Sequence, residues 1–280
     1  MEKTCICDAH NDFLTELPLD EVLPYVEKSK RFGVEKICAS YWSSRRKEEN
    51  IETELLQRCE VLQRADDVAL LHIEDLWWVK DEEKLKFLLG LKPFSCSLTW
   101  NGENSLAGGV GSDAGLSRWG RHCVERLLES GVLVDVAHLN RKSFWHVVDI
   151  VKDKIYCSHA GFCGVKMHER NLTDEQVEVI VSSGGFVGLF FFDKCIEVEN
   201  GAHPFGTSDI VQNLKYFTSR WGFDNLGLGT DFYGIENYPL ELEDYCGFEK
   251  LSLAMKTAGF SDKQIDKILC QNFKDFVSRR

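Results

Sequence analysis

The chain has 280 residues, 44% of them apolar and 28% charged, and a net charge of −12. That length suits one closed α/β barrel and is rather long for one ordinary domain of another type. The acidic balance argues against a nucleic-acid backbone as partner, since such binding needs a basic surface that sheds counterions, and no stretch approaches the ~20 apolar residues of a membrane span.

From the N-terminus, MEKTCICDAHND runs straight into a strand-like segment without the features of a secretory leader. Short apolar or β-branched runs then recur, predicting strands at residues 4–8, 36–41, 68–73, 94–99, 133–137, 155–158, 186–192 and 226–229. Amphipathic segments between them predict helices at 19–32, 51–65, 82–89, 116–129, 141–151, 174–182 and 208–221, followed by 248–257 and 262–277. Thr173 ahead of Asp174 and Glu175, Gly131 behind the fourth helix and Ser261 ahead of the last one are helix punctuation. Eight βα repeats predict an α/β fold, a single-domain (β/α)₈ TIM-type barrel over residues 1–280 with C-terminal helices at about 248–277. An open doubly wound sheet would share the alternation, but no Gly-rich phosphate loop follows the first strand. No linker, repeat or low-complexity segment divides the chain.

The eleven cysteines are odd in number, and many sit within apolar runs of a large chain. Free, mostly buried thiols are the expectation. The C-terminal KDFVSRR is polar and shows no lipid-anchor signal. A cytoplasmic protein with no membrane partner is therefore expected.

Barrel enzymes build their sites at the C-terminal ends of the strands. Here those ends read Asp8-Ala9-His10-Asn11-Asp12, His72-Ile73-Glu74-Asp75, Asp135-Val136-Ala137-His138, Ser158-His159 and Thr230-Asp231. Residues two apart share a strand face, so His10 and Asp12 can chelate one metal together. Cys5 and Cys7 then have the opposite parity and should face the helix layer as small buried hydrophobes. A lone strand-end histidine is usually structural, but His10, Asp12, Glu74, His138 and His159 at four strand ends point to a metal site. Imidazole and carboxylate donors suit zinc, with other divalent transition metals able to use the same site. One carboxylate between two clusters can bridge two ions. His72, Asp8 and Asp135 are expected beside the ligands rather than among them. His122, His146, His168 and His203 fall on helices or loops and are expected to be ordinary.

These residues, with Leu98-Thr99 and Asn104, Arg170-Asn171-Leu172-Thr173-Asp174 and Gly229-Thr230-Asp231-Phe232-Tyr233-Gly234, form an ordered set across nearly the whole chain. The set resembles the membrane dipeptidase (renal dipeptidase) family of zinc peptidases, within the amidohydrolase-type metal-dependent barrels. The resemblance implies two Zn²⁺, with His10 and Asp12 on one, His138 and His159 on the other and Glu74 bridging and catalytic. It implies that Arg170 meets the substrate carboxylate and that catalytic Asp231 meets its amino group or handles a proton. A metal-bridging hydroxide would then cleave a dipeptide, the small-molecule partner. A homodimer is admissible, and homodimers are common for such enzymes.

One departure concerns the substrate wall. Trp100 follows Leu98-Thr99, where the family has a histidine credited with stabilising the oxyanion. An indole offers one N–H and no charge. Trp100, as a substrate-site residue, therefore opens the alternative of another amidohydrolase-type amide or lactam hydrolase, and behind it a non-catalytic metal-binding relative.

Overall fold

The computed structural model describes residues 4–43, 50–198 and 204–279. Eight strands, β1 (Ile6–Asn11), β2 (Val34–Trp42), β3 (Ala69–Glu74), β4 (Ser95–Ser97), β5 (Leu133–Asp135), β6 (Tyr156–Ala160), β7 (Phe186–Leu189) and β8 (Leu226–Leu228), form a closed barrel in chain order. Every pairing is parallel, and β1 closes the ring on β8 through Asp8 and Leu228. The expected (β/α)₈ barrel is what the chain forms.

Helices α1 (Phe13–Glu16) and α2 (Leu19–Arg31) follow β1, α3 (Ile51–Leu62) follows β2, α4 (Glu82–Gly90) follows β3 and α5 (Arg118–Glu129) follows β4. After β5 to β7 come α6 (Arg141–Val151), α7 (Asp174–Ser182), α8 (Asp193–Ile196) and α9 (Thr207–Trp221), and after β8 come α10 (Phe248–Thr257), α11 (Asp262–Asp266) and α12 (Asn272–Ser278). Helix α5 shows why they form: Cys123, Val124 and Leu127 are buried while Arg118, Arg121 and Glu125 stay exposed. Ser117 caps its start by accepting from the Gly120 N–H, and Gly131 follows its end at φ 73°. Thr173 and Ser261 each form a capping box, with Gln176 and Gln264. Among the described residues no helix is long and apolar enough to cross a membrane.

Two sequence expectations change. The single helix expected at 262–277 is interrupted by a π turn at Lys267–Gln271, although no Gly or Pro lies there. The wider turn lets Ile268, Leu269 and Cys270 all bury, which three consecutive positions on one α-helical stripe would not achieve. The second change concerns the cysteines of β1. Cys7 and Ala9, with Cys38, Phe94, Tyr156 and Phe186, form one buried cluster with Cys270, Phe273 and Phe276. Side chains from so many staves meet only in the lumen, so Cys7 faces the barrel interior, not the helix layer. Cys5, expected to be buried, is only partly so and packs at the edge of that cluster. Register shifts at Ile6/Cys7 and Asp8/Asn11 break the strict alternation on which the expectation rested.

Helix α12 thus closes the N-terminal mouth, and the Tyr156 hydroxyl donates across the lumen to the Ala9 carbonyl at 2.9 Å. Cys7 and Cys270 bring their Sγ atoms to 2.9 Å there. All eleven cysteines are free, most of them buried. With its floor sealed, the barrel opens only where the polar strand ends converge.

Candidate functional site

The five residues expected as ligands meet at the C-terminal mouth, all buried. His10 Nε2 lies 3.4 Å from Asp12 Oδ2, 3.5 Å from Glu74 Oε2 and 3.8 Å from Asp231 Oδ1. On the other side, His138 Nε2 lies 3.0 Å from Glu74 Oε1 and 3.0 Å from His159 Nε2. Glu74 therefore turns one oxygen to each cluster. The His10 and His159 rings stack at 3.8 Å, joining the two halves.

His138 and Asp231 both adopt φ 63°, the left-handed region that costs residues with a Cβ about 1–2 kcal/mol. Such strain persists only where the surroundings enforce it and is concentrated at functional sites. Here it turns each side chain from beyond its strand into the mouth.

Burial pushes the pKa of His138 and of His159 well below the ordinary imidazole range, aided for His138 by the Arg170 charge and for His159 by His10. Burial thus favours the neutral form of both rings. With Nδ1 of His138 donating to Asn101 Oδ1 (3.3 Å), its Nε2 turns a lone pair toward Glu74 and His159. Around His10 burial opposes charge, yet the carboxylates of Asp12, Glu74 and Asp231 raise its pKa to about 10. The carboxylate-ringed half around His10 thus calls for positive charge. Among the described residues, His10 Nδ1 and Nε2 and Glu74 Oε1 are buried without a hydrogen-bond partner, which is costly unless a cation or ligand completes them. Donor atoms within 4.8 Å of one another group as His10–His72–Glu74, His10–His159–Asp231 and Glu74–His138–His159. This mixed imidazole and carboxylate set fits divalent transition ions.

Other polar groups hold the cluster in place. Asp135 Oδ1 accepts from the N–H of Ala137 at 3.0 Å and of Ser158 at 2.9 Å, tying together the segments that carry His138 and His159. Asp8 accepts from Thr230 N–H at 2.8 Å and its hydroxyl at 2.7 Å, anchoring the residue before Asp231. His72 Nδ1 lies 2.8 Å from Ser95 Oγ, and its ring meets His10 edge-on. Asn104 pins the segment after β4 by donating to Asp75 (2.9 Å) and the Leu98 carbonyl (2.8 Å).

Arg170 is buried, donates to the His159 carbonyl at 2.9 Å and lies over the Phe190 ring at 5.2 Å. Among the described residues no carboxylate forms an ion pair with it. Trp100 is 41% exposed, its ring 6.2 Å from that of His138. The cleft above the cluster measures about 220 Å³ and is walled by Trp42, Trp100, Thr15, Glu16 and Tyr233, with Gly234 against the carboxylates. A larger hollow of about 840 Å³ between Gly164, Tyr216 and Phe223 is lined by no histidine or carboxylate among the described residues.

Sequence reasoning assigned no role to Asn101, Ser158, Trp42 or Gly234. Ser158 adjoins a site histidine, and Trp42 could be found by counting in twos along β2, whereas nothing marked Asn101. His122 pairs with Glu82, His146 accepts from the Leu116 N–H, and His168 accepts from the Arg170 N–H, all as ordinary side chains. His203 lies outside the described residues.

Residues 33–276 match the family model described as membrane dipeptidase, peptidase family M19. That range includes Glu74, Trp100, His138, His159, Arg170 and Asp231, while His10 and Asp12 precede it. An uncharacterized protein from the pqqA 5′ region of Klebsiella pneumoniae is 29% identical over 184 residues, 62% of this chain and 67% of that protein. An uncharacterized dipeptidase of Schizosaccharomyces pombe is 29% identical over 148 residues, 53% of this chain. Dipeptidase tcpJ of Claviceps purpurea is 27% identical over 158 residues, 56% of this chain. The match spans only 35% and 37% of the latter two proteins. Among solved structures, a Rhodobacter sphaeroides metallo peptidase liganded with a phosphinate mimic of L-Ala-D-Ala superposes with TM-score 0.88 at 21% identity, over 99% of both chains. The dipeptidase AC structure gives 0.87 at 22%, again over 99% of both, so the fold is shared throughout. By the family match over most of its length, the chain belongs to the membrane dipeptidase family, M19, of metal-dependent peptide hydrolases.

Proposed function

We propose that this chain is a zinc-dependent dipeptidase working as one catalytic unit over residues 1–280, in the cytoplasm, on small dipeptides, with a homodimer as an admissible assembly. The observation that carries the reading is Glu74, whose two oxygens face His10 on one side and His138 on the other. His10 and Asp12 would hold one Zn²⁺, His138 and His159 the second, and Glu74 would bridge them. When bound, the ions would supply Lewis acidity, which lowers the pKa of a water toward neutrality and polarises the scissile carbonyl.

The chain's own groups do the rest. Arg170 presents a planar fork of donors to the terminal carboxylate of the dipeptide, and its lack of a protein carboxylate partner supports that role. Asp231 takes the proton of the attacking water and delivers it to the departing amine. The small cleft limits substrate size, and its aromatic wall at Trp42 and Trp100 keeps water from the reacting bond.

The test is to purify the protein, measure bound metal, and assay a panel of L,L and L,D dipeptides before and after chelation. Two zinc equivalents and hydrolysis that is lost on chelation and restored by Zn²⁺ are expected. Two equivalents with no cleavage of any dipeptide would sink the reading. Trp100 favours a second reading, an amide or lactam hydrolase of another substrate class, because its half-exposed ring lies beside His138. Under that reading Trp100→His would raise dipeptide turnover sharply.

A further inference from the structure

The two halves of the candidate site straddle the two sparsest seams of the barrel. Among the described residues, β1 and β8 share a single registered pair, Asp8 with Leu228, and β5 and β6 share a single one, Asp135 with Tyr156. By contrast β2 and β3 stay in register from Ile37 and Ala69 to Trp42 and Glu74. His138 and His159 lie on either side of the β5–β6 seam, and His10 with Asp12 faces Asp231 across the β1–β8 seam, where His10 Nε2 and Asp231 Oδ1 are 3.8 Å apart. Where the strand ladder is short, side chains must hold the edges together. Each seam has a buried aspartate that does so: Asp135 accepts from Ser158 N–H across one, and Asp8 accepts from Thr230 N–H across the other.

The Asp8 seam has an additional brace. Asp8 Oδ1 accepts from the His10 N–H at 3.3 Å as well as from Thr230, and Oδ2 accepts from the Thr230 hydroxyl at 2.7 Å. The Tyr245 hydroxyl donates to that same Oδ2 and accepts from Asn11 Nδ2 at 2.9 Å. Asn11 stands between His10 and Asp12, and its Oδ1 accepts from the Phe13 N–H at 3.0 Å. One hydroxyl thus grips β1 on both sides of His10, and through Asp8 it also reaches the residue before Asp231. Asp8, Asn11, Thr230 and Tyr245 are all buried, and a hydrogen bond to a carboxylate is about twice as strong as a neutral one. The Tyr245 ring opens a 3₁₀ turn at Tyr245–Gly247 and packs on Phe232 at 5.6 Å and Phe248 at 5.5 Å, contacts that a phenylalanine would keep.

We propose that Tyr245 is a positioning residue: through Asp8 and Asn11 it fixes His10 and Asp12 against Asp231 across the closing seam, and so sets the affinity of the ion that His10 and Asp12 would hold; this rests on the dipeptidase reading. Tyr245 touches neither substrate nor ion. The ion at His138 and His159 is held by a separate brace, Asp135, and is independent of it.

The experiment strips wild type, Y245F and D8N of metal, titrates each with Zn²⁺ against a chromogenic chelator, and measures kcat and KM on alanyl-alanine. Losing a group that orients metal ligands costs about 10–100-fold in metal affinity or activity. Y245F is expected at the lower end, weakening one of the two zinc steps by about 10-fold and leaving the other within threefold. Its kcat should fall by a similar factor with KM within threefold, because Arg170 is not disturbed. D8N, which replaces one acceptor oxygen with an amide nitrogen, is expected to move the same step in the same direction by at least as much. Y245F with both zinc steps within threefold of wild type, or with both weakened alike, overturns the proposal and leaves the hydroxyl a matter of stability alone. Wild-type protein that binds zinc but cleaves no dipeptide sinks the dipeptidase reading by itself, and the zinc titrations still decide the role of Tyr245. Wild-type protein that binds no zinc overturns both.

Discussion

The Ser158 hydroxyl lies 2.7 Å from Nδ1 of His159, the residue next to it, with both side chains buried. That contact fixes the ring so that Nε2 faces His138. A partner on the far nitrogen sets both the tautomer and the orientation of a ligating imidazole, and losing it costs about 10–100-fold in metal affinity or activity. Ser158→Ala should therefore weaken binding of the metal ion proposed at His138 and His159 by about that factor, read by competition with a chromogenic chelator. Unchanged affinity would make the contact a packing detail.

A Cβ on Gly234 would lie 2.2 Å from Asp12 Oδ2 and 2.4 Å from Asp231 Oδ1. Nothing can approach so closely, so Gly234→Ala must push one or both carboxylates aside. A displacement of about 1 Å at reacting groups can cost 10²-fold in rate. We expect kcat to fall by about that much with the thermal midpoint little changed, and full activity in G234A would place the two carboxylates outside the chemistry.

Arg170 can be tested without touching the metals. Arg170→Met should raise KM for dipeptides by about 10-fold or more, since a hydrogen bond to a charged group contributes ~1.5–3 kcal/mol. The same substitution should matter little for a dipeptide whose carboxylate is blocked as an amide. An equal loss on both substrates would return Arg170 to a purely structural role.

At the opposite end of the barrel the expectation reverses. Phe273 is buried between Phe94 and Phe186 in the floor, and truncation of a buried Phe costs about 3–5 kcal/mol. Phe273→Ala should lower the unfolding free energy by about that amount, read from denaturant unfolding, while leaving metal stoichiometry and KM unchanged at low temperature, because floor and mouth of a barrel divide stability from chemistry.

The mouth was legible in the sequence because polar residues closing apolar runs are visible without knowing how the strands pair. Helices α6, α7 and α10 end where their periodicity and caps place them. The end of β1 was not legible. Its strand continues through His10 and Asn11, held by the pairing of Asn11 with Ala39 of β2 and by Asp8 Oδ1, which accepts from the His10 N–H at 3.3 Å. The lumen position of Cys7 depends on register shifts, and the π turn before α12 depends on what β1 and β8 offer it; neither is local information.

The floor of the barrel has a consequence for synthesis. Its plug, Phe273 and Phe276, lies more than 260 residues along the chain from Cys7 and Ala9, which it covers. A ribosome therefore delivers the first stave of the barrel long before its stopper. Until the stopper emerges, β1 has neither β8 at its edge nor a cover over its inward face, and contacts of such long sequence separation form late. The nascent N-terminal strand is thus the segment most in need of shelter while the chain is being made.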